Sequence, residues 1–178
     1  VYSYNYTGCF ILKSENGGML LFSVGDYIAH PLHGAGVIDS IVVKRIDGTE
    51  REYYALRLPV GDMLVLVHVE GSESIGVRPV ISPEEAAGVL DAFSAIDVSM
   101  TQNWNKRYRE NMVKLKSGRP MDVAEVVKGL MSRDSERGLS TGERRMLHSA
   151  KQILISEIVV ALNLTYAQVE QRLSESMG

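Results

Sequence analysis

Four stretches of this 178-residue chain carry residue types and spacings that could do chemistry. GLSTG at 138–142 fits the G-x-S-x-G pattern of a nucleophile elbow, which requires a strand before it and a helix after it. A helical pattern precedes it here. Ser140 and Glu143 instead form S-x-x-E, a capping box in which hydroxyl and carboxylate satisfy free N–H groups at a helix start. His30-Pro31-Leu32-His33 offers two imidazoles, but no cluster of Cys, His or carboxylates stands ready to complete a metal shell, so a turn is expected. Gly34-Ala35-Gly36 lacks the rest of a dinucleotide fingerprint and leads into a strand, and no G-x-x-x-x-G-K is present. These patterns predict no catalytic residue, no metal and no cofactor.

The fourth stretch, TQNWNKRYRENMVKLKSG at 101–118, holds the single tryptophan, Trp104, followed by Lys106, Arg107 and Arg109. On a helix, Trp104, Tyr108, Met112 and Leu115 fall on one apolar stripe, so Trp104 can be the first core residue. It also sits in the first turn beside the potential caps Thr101 and Asn103, where a side chain can lean past the edge of a bundle. An aromatic ring among cations suits nucleic acid, the ring stacking on or wedging between bases while the cations hold phosphates. Pattern alone favours the core by a small margin, because most tryptophans pack. Arg144 and Arg145, opening another helix, extend the basic surface if the fold brings them alongside.

The elements that must position these residues divide the chain in two. Residues 22–81 alternate short β-branched runs with turns: FSVGDYIAH, GVIDSIVVKRI, Asp47-Gly48, REYYALRL, Gly61-Asp62, MLVLVHV and Gly71. Asp-Gly between two strand-like runs is a strong hairpin signal. About five antiparallel strands in a small twisted sheet or barrel are expected. From Pro83 the period becomes helical, in PEEAAGVLDAFSAI, NWNKRYRENMVKLKSG, MDVAEVVKGLMSRDSERG, STGERRMLHSAKQILISEIVVALN and TYAQVEQRLSESM. Gly118, Gly138 and Asn163 fall where helices stop.

Hydrophobic residues make up 45% of the chain, enough to bury one ordinary core or two small ones. No apolar run approaches the roughly 20 residues of a membrane span. With one cysteine, Cys9, no internal disulfide forms, and a soluble, cytoplasmic protein is expected. Residues 19–81 carry five Lys or Arg against eight carboxylates, whereas residues 99–178 carry thirteen against nine, which assigns any polyanion to the second half. Residues 1–18 fit neither half. With Met19 placed as an initiator would be, they read as a leader or an appended extension; a further strand from Cys9 to Lys13 is the alternative.

VGDYIAHPLHGAGVIDSI, REYYALRL, IGVRPV, NWNKRYRENMVKLKSG, VAEVVKGLMSRDSERGLSTGERRML and AKQILISEI, in unbroken order from about Met19 to Leu162, resemble the CarD family of RNA polymerase-binding transcription regulators. The resemblance implies an α+β protein in two domains: a Tudor-like antiparallel β-barrel at 19–81 that docks on the β subunit of bacterial RNA polymerase, and an all-α bundle at 82–178 that contacts promoter DNA. It implies that Trp104 wedges into the minor groove at the upstream edge of the transcription bubble, with Lys106, Arg107 and Arg109 on phosphates and Arg144 at a basic position of the neighbouring helix; the pattern adds Arg145 to the DNA-binding set. On the barrel it places Lys44, Ile46, Val65 and Leu66 against the polymerase. Leu66 stands where some relatives carry arginine and Lys44 replaces another arginine, so a weaker or a differently balanced polymerase contact is expected; His68 likewise replaces a proline just after that strand. The barrel also resembles the polymerase-binding module of transcription-repair coupling factors, which are ATP-driven translocases with a P-loop that this sequence lacks. The implied protein is a cytoplasmic monomer that is not an enzyme and acts at no membrane. The rival reading is a protein-only adaptor whose basic bundle binds another protein in place of DNA.

Overall fold

A computed structural model describes residues 12–13, 19–59 and 61–177. Leu12–Lys13 (β1) pairs antiparallel with Met19–Leu20 (β2) in a two-stranded sheet, so two residues of the supposed leader join a ladder. The rest of 1–18, Cys9 included, lies outside the described residues.

The expected sheet follows, as Tyr27–His30 (β3), Gly34–Ile46 (β4), Thr49–Arg57 (β5), Leu64–His68 (β6) and Arg78–Pro79 (β7). All neighbours are antiparallel, in the order β6-β5-β4-β3-β7, which leaves β6 and β7 at the edges. Asp47 and Gly48 both adopt positive φ, 51° and 79°, as the tight turn joining β4 to β5 demands. The β4–β5 register shifts between Ile38 and Ser40, a bulge that bends the long strand and lets a small sheet curl. Its concave face buries Ile28, Ile38, Tyr54, Leu56 and Leu58 with Phe22, Val67, Val69 and Val77. One expected run is partly a turn. Gly25, at φ 95°, and the Asp26 carboxylate, accepting from the Ser23 N–H at 2.7 Å, hold residues 23–26 out of β3.

Five helices complete the chain: Pro83–Phe93 (α1), Trp104–Lys116 (α2), Pro120–Arg137 (α3), Thr141–Leu162 (α4) and Tyr166–Glu175 (α5). Their limits follow local chemistry. Ser82, Ser140 and Thr165 each close a capping box, and Asn163 ends α4 in the left-handed conformation, φ 51°. The buried ring of Phe93 and side chains such as Leu130, Leu154, Ile155, Ile158 and Leu173 form a second core, separate from that of the sheet. Helix α4 lies at its centre, packing on α1, α3 and α5 and, along another side, on β4.

A candidate nucleic-acid interface at the tip of two helices

Helices α2 and α4 begin side by side. Asn103 caps α2 by accepting the Lys106 N–H at 3.0 Å, Ser140 caps α4, and a Cβ added at Gly142 would lie 3.5 Å from Trp104 Cζ2. The indole thus rests across the first turn of α4. It belongs to neither core, is 44% exposed, and stacks on Tyr108 at 5.4 Å between ring centroids. The apolar stripe read from the sequence is real but runs outward: Leu115 is buried, Met112 partly so, and Tyr108 and Trp104 emerge.

The cations sort differently from their spacing. Lys106 is exposed and only 3.8 Å from Glu110, a pairing that water weakens, and Arg109 is exposed with its Nε on the Asn105 carbonyl at 3.2 Å. Arg144 and Arg145 are exposed on α4, Arg145 one turn beyond Gly142 and so on its side of the helix, Arg144 on the other.

Arg107, expected among the exposed cations, turns inward instead. It is 3% exposed, and its guanidinium is engaged: Nε and Nη2 donate to Glu143 Oε1 at 3.0 and 2.6 Å, and Nη1 donates to the carbonyls of Thr101 and Gln102 at 2.7 and 3.1 Å. A ligand could reach it only by dismantling this set, so Arg107 holds the starts of α2 and α4 together.

Glu143, read from the sequence only as a capping residue, is the hub of the tip. Its Oε2 accepts from the N–H and hydroxyl of Ser140, and its Oε1 from Arg107 and from Arg133 Nε at 3.1 Å. Burial opposes ionisation, yet the hydrogen bonds from Ser140 and Arg107 together outweigh it and hold the carboxyl at a pKa of about 2. The carboxylate is therefore withdrawn from the surface, and the first turn of α2 contains no acid. Two helix N-termini lie beside the ring, and Lys106, Arg109, Arg144 and Arg145 are exposed on the first two turns of the same helices, a field suited to a polyanion. Segregation matters because the whole helical half, counted from Ser82, carries thirteen bases and thirteen acids. The surplus seen from residue 99 arose from leaving out Glu84, Glu85, Asp91 and Asp97.

On the sheet, Val65 and Leu66 lie in the edge strand β6, opposite Leu56 and Ala55. Met63, Leu64 and Leu66 are 50%, 51% and 40% exposed, so the edge offers unpaired backbone together with apolar side chains. Lys44 and Ile46 pair with Arg51 and Thr49 at the far end of the β4–β5 ladder, beyond β6, and so do not share a row with Val65 and Leu66. His30-Pro31-Leu32-His33 forms the expected turn, with His30 Nδ1 accepting the Leu32 N–H at 3.1 Å. GLSTG spans the α3–α4 joint, with Ser140 capping α4.

The antiparallel sheet and the helical bundle each coincide with a known domain family. Residues 22–81 match the CarD-like/TRCF RID domain, which is Tudor-like, and residues 88–174 match the CarD C-terminal domain. A Bacillus subtilis (strain 168) protein named "Putative transcription factor YdeB" is 32% identical over 150 residues, covering 84% of this chain and 98% of that protein. The chain belongs to the CarD family of transcription regulators. Among the described residues no single helix is long and apolar enough to cross a membrane.

Proposed function

We propose that the protein bridges the β subunit of bacterial RNA polymerase and the upstream edge of the transcription bubble, and so stabilises the open promoter complex. The observation that carries this reading is the half-exposed indole of Trp104 lying across the paired starts of α2 and α4, with the carboxylate of Glu143 buried. At the fork the base stack is already interrupted, and unstacking costs about a few kcal/mol per step in intact duplex. A ring that stacks there gains free energy only when the promoter is melted, and therefore shifts the population toward the open state. Lys106, Arg109, Arg144 and Arg145 hold phosphates without reading bases. The other contact is the β6 edge, where Val65 and Leu66 suit pairing with a strand of the β subunit. The protein works as a cytoplasmic monomer, with no cofactor and no reaction of its own.

The test is the lifetime of open complexes on one promoter with and without the protein; the bridge predicts a longer lifetime. The balanced charge of the helical half favours a second reading, the protein-only adaptor. Salt-sensitive binding to a forked promoter fragment, stronger than to intact duplex, separates the two, since an adaptor binds neither.

A further inference from the structure

The sheet and the bundle have separate cores and meet along one side of α4, where a hydrogen bond and an ion pair cross the junction. Glu157, in the second turn from the end of α4 and only 4% exposed, spends its carboxylate outside the bundle core. Its Oε1 accepts from Arg78 Nη1 and from the Ile81 N–H at 3.2 Å, and its Oε2 from Arg78 Nη2 at 3.0 Å. The same guanidinium donates to the carbonyl of Gly118 at 2.7 Å, in the turn between α2 and α3. One side chain of β7 thus ties the sheet to α4 and to the base of the helix that carries Trp104.

A backbone contact beside it allows no slack. The Ala35 N–H donates to Ser156 Oγ at 2.9 Å, and a Cβ added at Gly34, whose φ is +88°, would fall 2.2 Å from that oxygen and 3.2 Å from the Gln152 carbonyl. Pro31 fills the space between Gly76 and Gly118. The void left among these residues is about 10 Å³, room for one water at most.

We propose that Arg78 and Glu157 are positioning residues, a clamp that sets the direction in which the helical tip leaves the polymerase-docked sheet and hence its reach to the fork. The proposal rests on the two-contact reading above. Apolar contact is non-directional, whereas a bidentate guanidinium–carboxylate pair specifies an angle. Leverage makes the angle matter. Helix α2 has 13 residues. At 1.5 Å per residue that is about 20 Å, so a tilt of about 10° at its base moves the ring by roughly 3 Å. This is close to the roughly 3.4 Å between successive phosphates along one strand's axis.

The test uses the full chain with Arg78→Met and Glu157→Met together, since replacing both partners by apolar groups avoids stranding a buried charge. Gly34→Ala loosens the same junction from the other side, and Arg78→Lys is the conservative variant. Spin labels at Thr49→Cys and Glu136→Cys, in a Cys9→Ser background, report the distance between sheet and bundle. The clamp predicts a broadened distance distribution and affinities for an isolated β-subunit fragment and for forked DNA that stay within about twofold. At saturating protein it predicts open complexes that decay about tenfold faster than with the wild type. Arg78→Lys should fall between. An unchanged distance distribution overturns the clamp. So does a lifetime defect that disappears when more protein is added, because that would be a loss of binding alone. If the wild-type protein does not lengthen the lifetime, the two-contact reading fails, and the distance measurement by itself then supports or overturns the clamp.

Discussion

The β6 edge and the α2–α4 tip are both exposed, but their chemistry differs. The edge presents unpaired backbone with Met63, Leu64 and Leu66 outward on a sheet half whose acids outnumber its bases. The tip presents Trp104 and Tyr108 with four cations outward, and the carboxylate of Glu143 turned in. The edge depends on hydrogen bonds and apolar area that any properly shaped strand can meet, which suits a protein surface. At the tip, charge and stacking tolerate many sequences, which suits a deformed nucleic acid. The tip is also the costlier to build, since two buried ions hold it, whereas the edge needs only the sheet.

The largest expected effect breaks the tip and spares the edge. Glu143→Ala leaves Arg107 buried without its partner and removes a helix cap, which should cost on the order of 3–5 kcal/mol. Hydrogen exchange should show lost protection at the starts of α2 and α4 and little change in the β3–β5 ladder. The converse is Leu66→Glu, which places a charge on the pairing edge. It should weaken binding to a β-subunit fragment about ten- to a hundredfold by titration, with forked-DNA binding unchanged.

Acid should separate two further groups. His30 is held near a pKa of about 4, chiefly by burial and then by His33, and it lies beside Arg78 and Glu157 at the domain junction. The unfolded chain takes up this proton below 6.5 and the folded protein only near 4, so stability falls as pH drops through that window, by roughly 1–3 kcal/mol. Glu143, depressed from 4.5 to about 2, stabilises fully above 4.5 and is lost between there and 2. Thermal melts should therefore decline in two stages, and His30→Asn should flatten the first.

The smallest effects distinguish the cations from one another. Alanine at Lys106, Arg109, Arg144 or Arg145 should leave stability within about 0.5 kcal/mol and reduce the salt dependence of DNA binding by roughly one unit each, equally on all promoters. Arg107→Ala should do the reverse, lowering the melting temperature with little change in slope.

Local chemistry explains which features were legible beforehand. The Asp47-Gly48 turn, the Ser140–Glu143 box and the stops at Gly138 and Asn163 each depend on residues a few positions apart, and each is where the pattern placed it. Long-range partners were not legible. The spacing of Lys106, Arg107 and Arg109 shows three cations, but which of them turns inward is decided by Glu143, 36 residues from Arg107. Arg78 and Glu157 are 79 residues apart, and nothing near either announces the other. Trp104 was ambiguous for a related reason: its stripe leads into the core, and only the geometry of the helix start shows that the stripe has left the core by its last member.

That residue also provides the most direct test, through the decay of open complexes formed with the wild-type protein, Trp104→Ala and Trp104→Phe, each at saturating concentration and each checked by thermal melt. The wedge predicts that alanine leaves the melting temperature and polymerase binding nearly unchanged while removing about 1–3 kcal/mol of stacking. That corresponds to roughly one to two decades of open-complex stability, and phenylalanine should restore part of it. An early melt with normal open-complex decay would contradict the account, because a buried tryptophan typically costs about 3–5 kcal/mol to empty and Trp104 would then belong to the core.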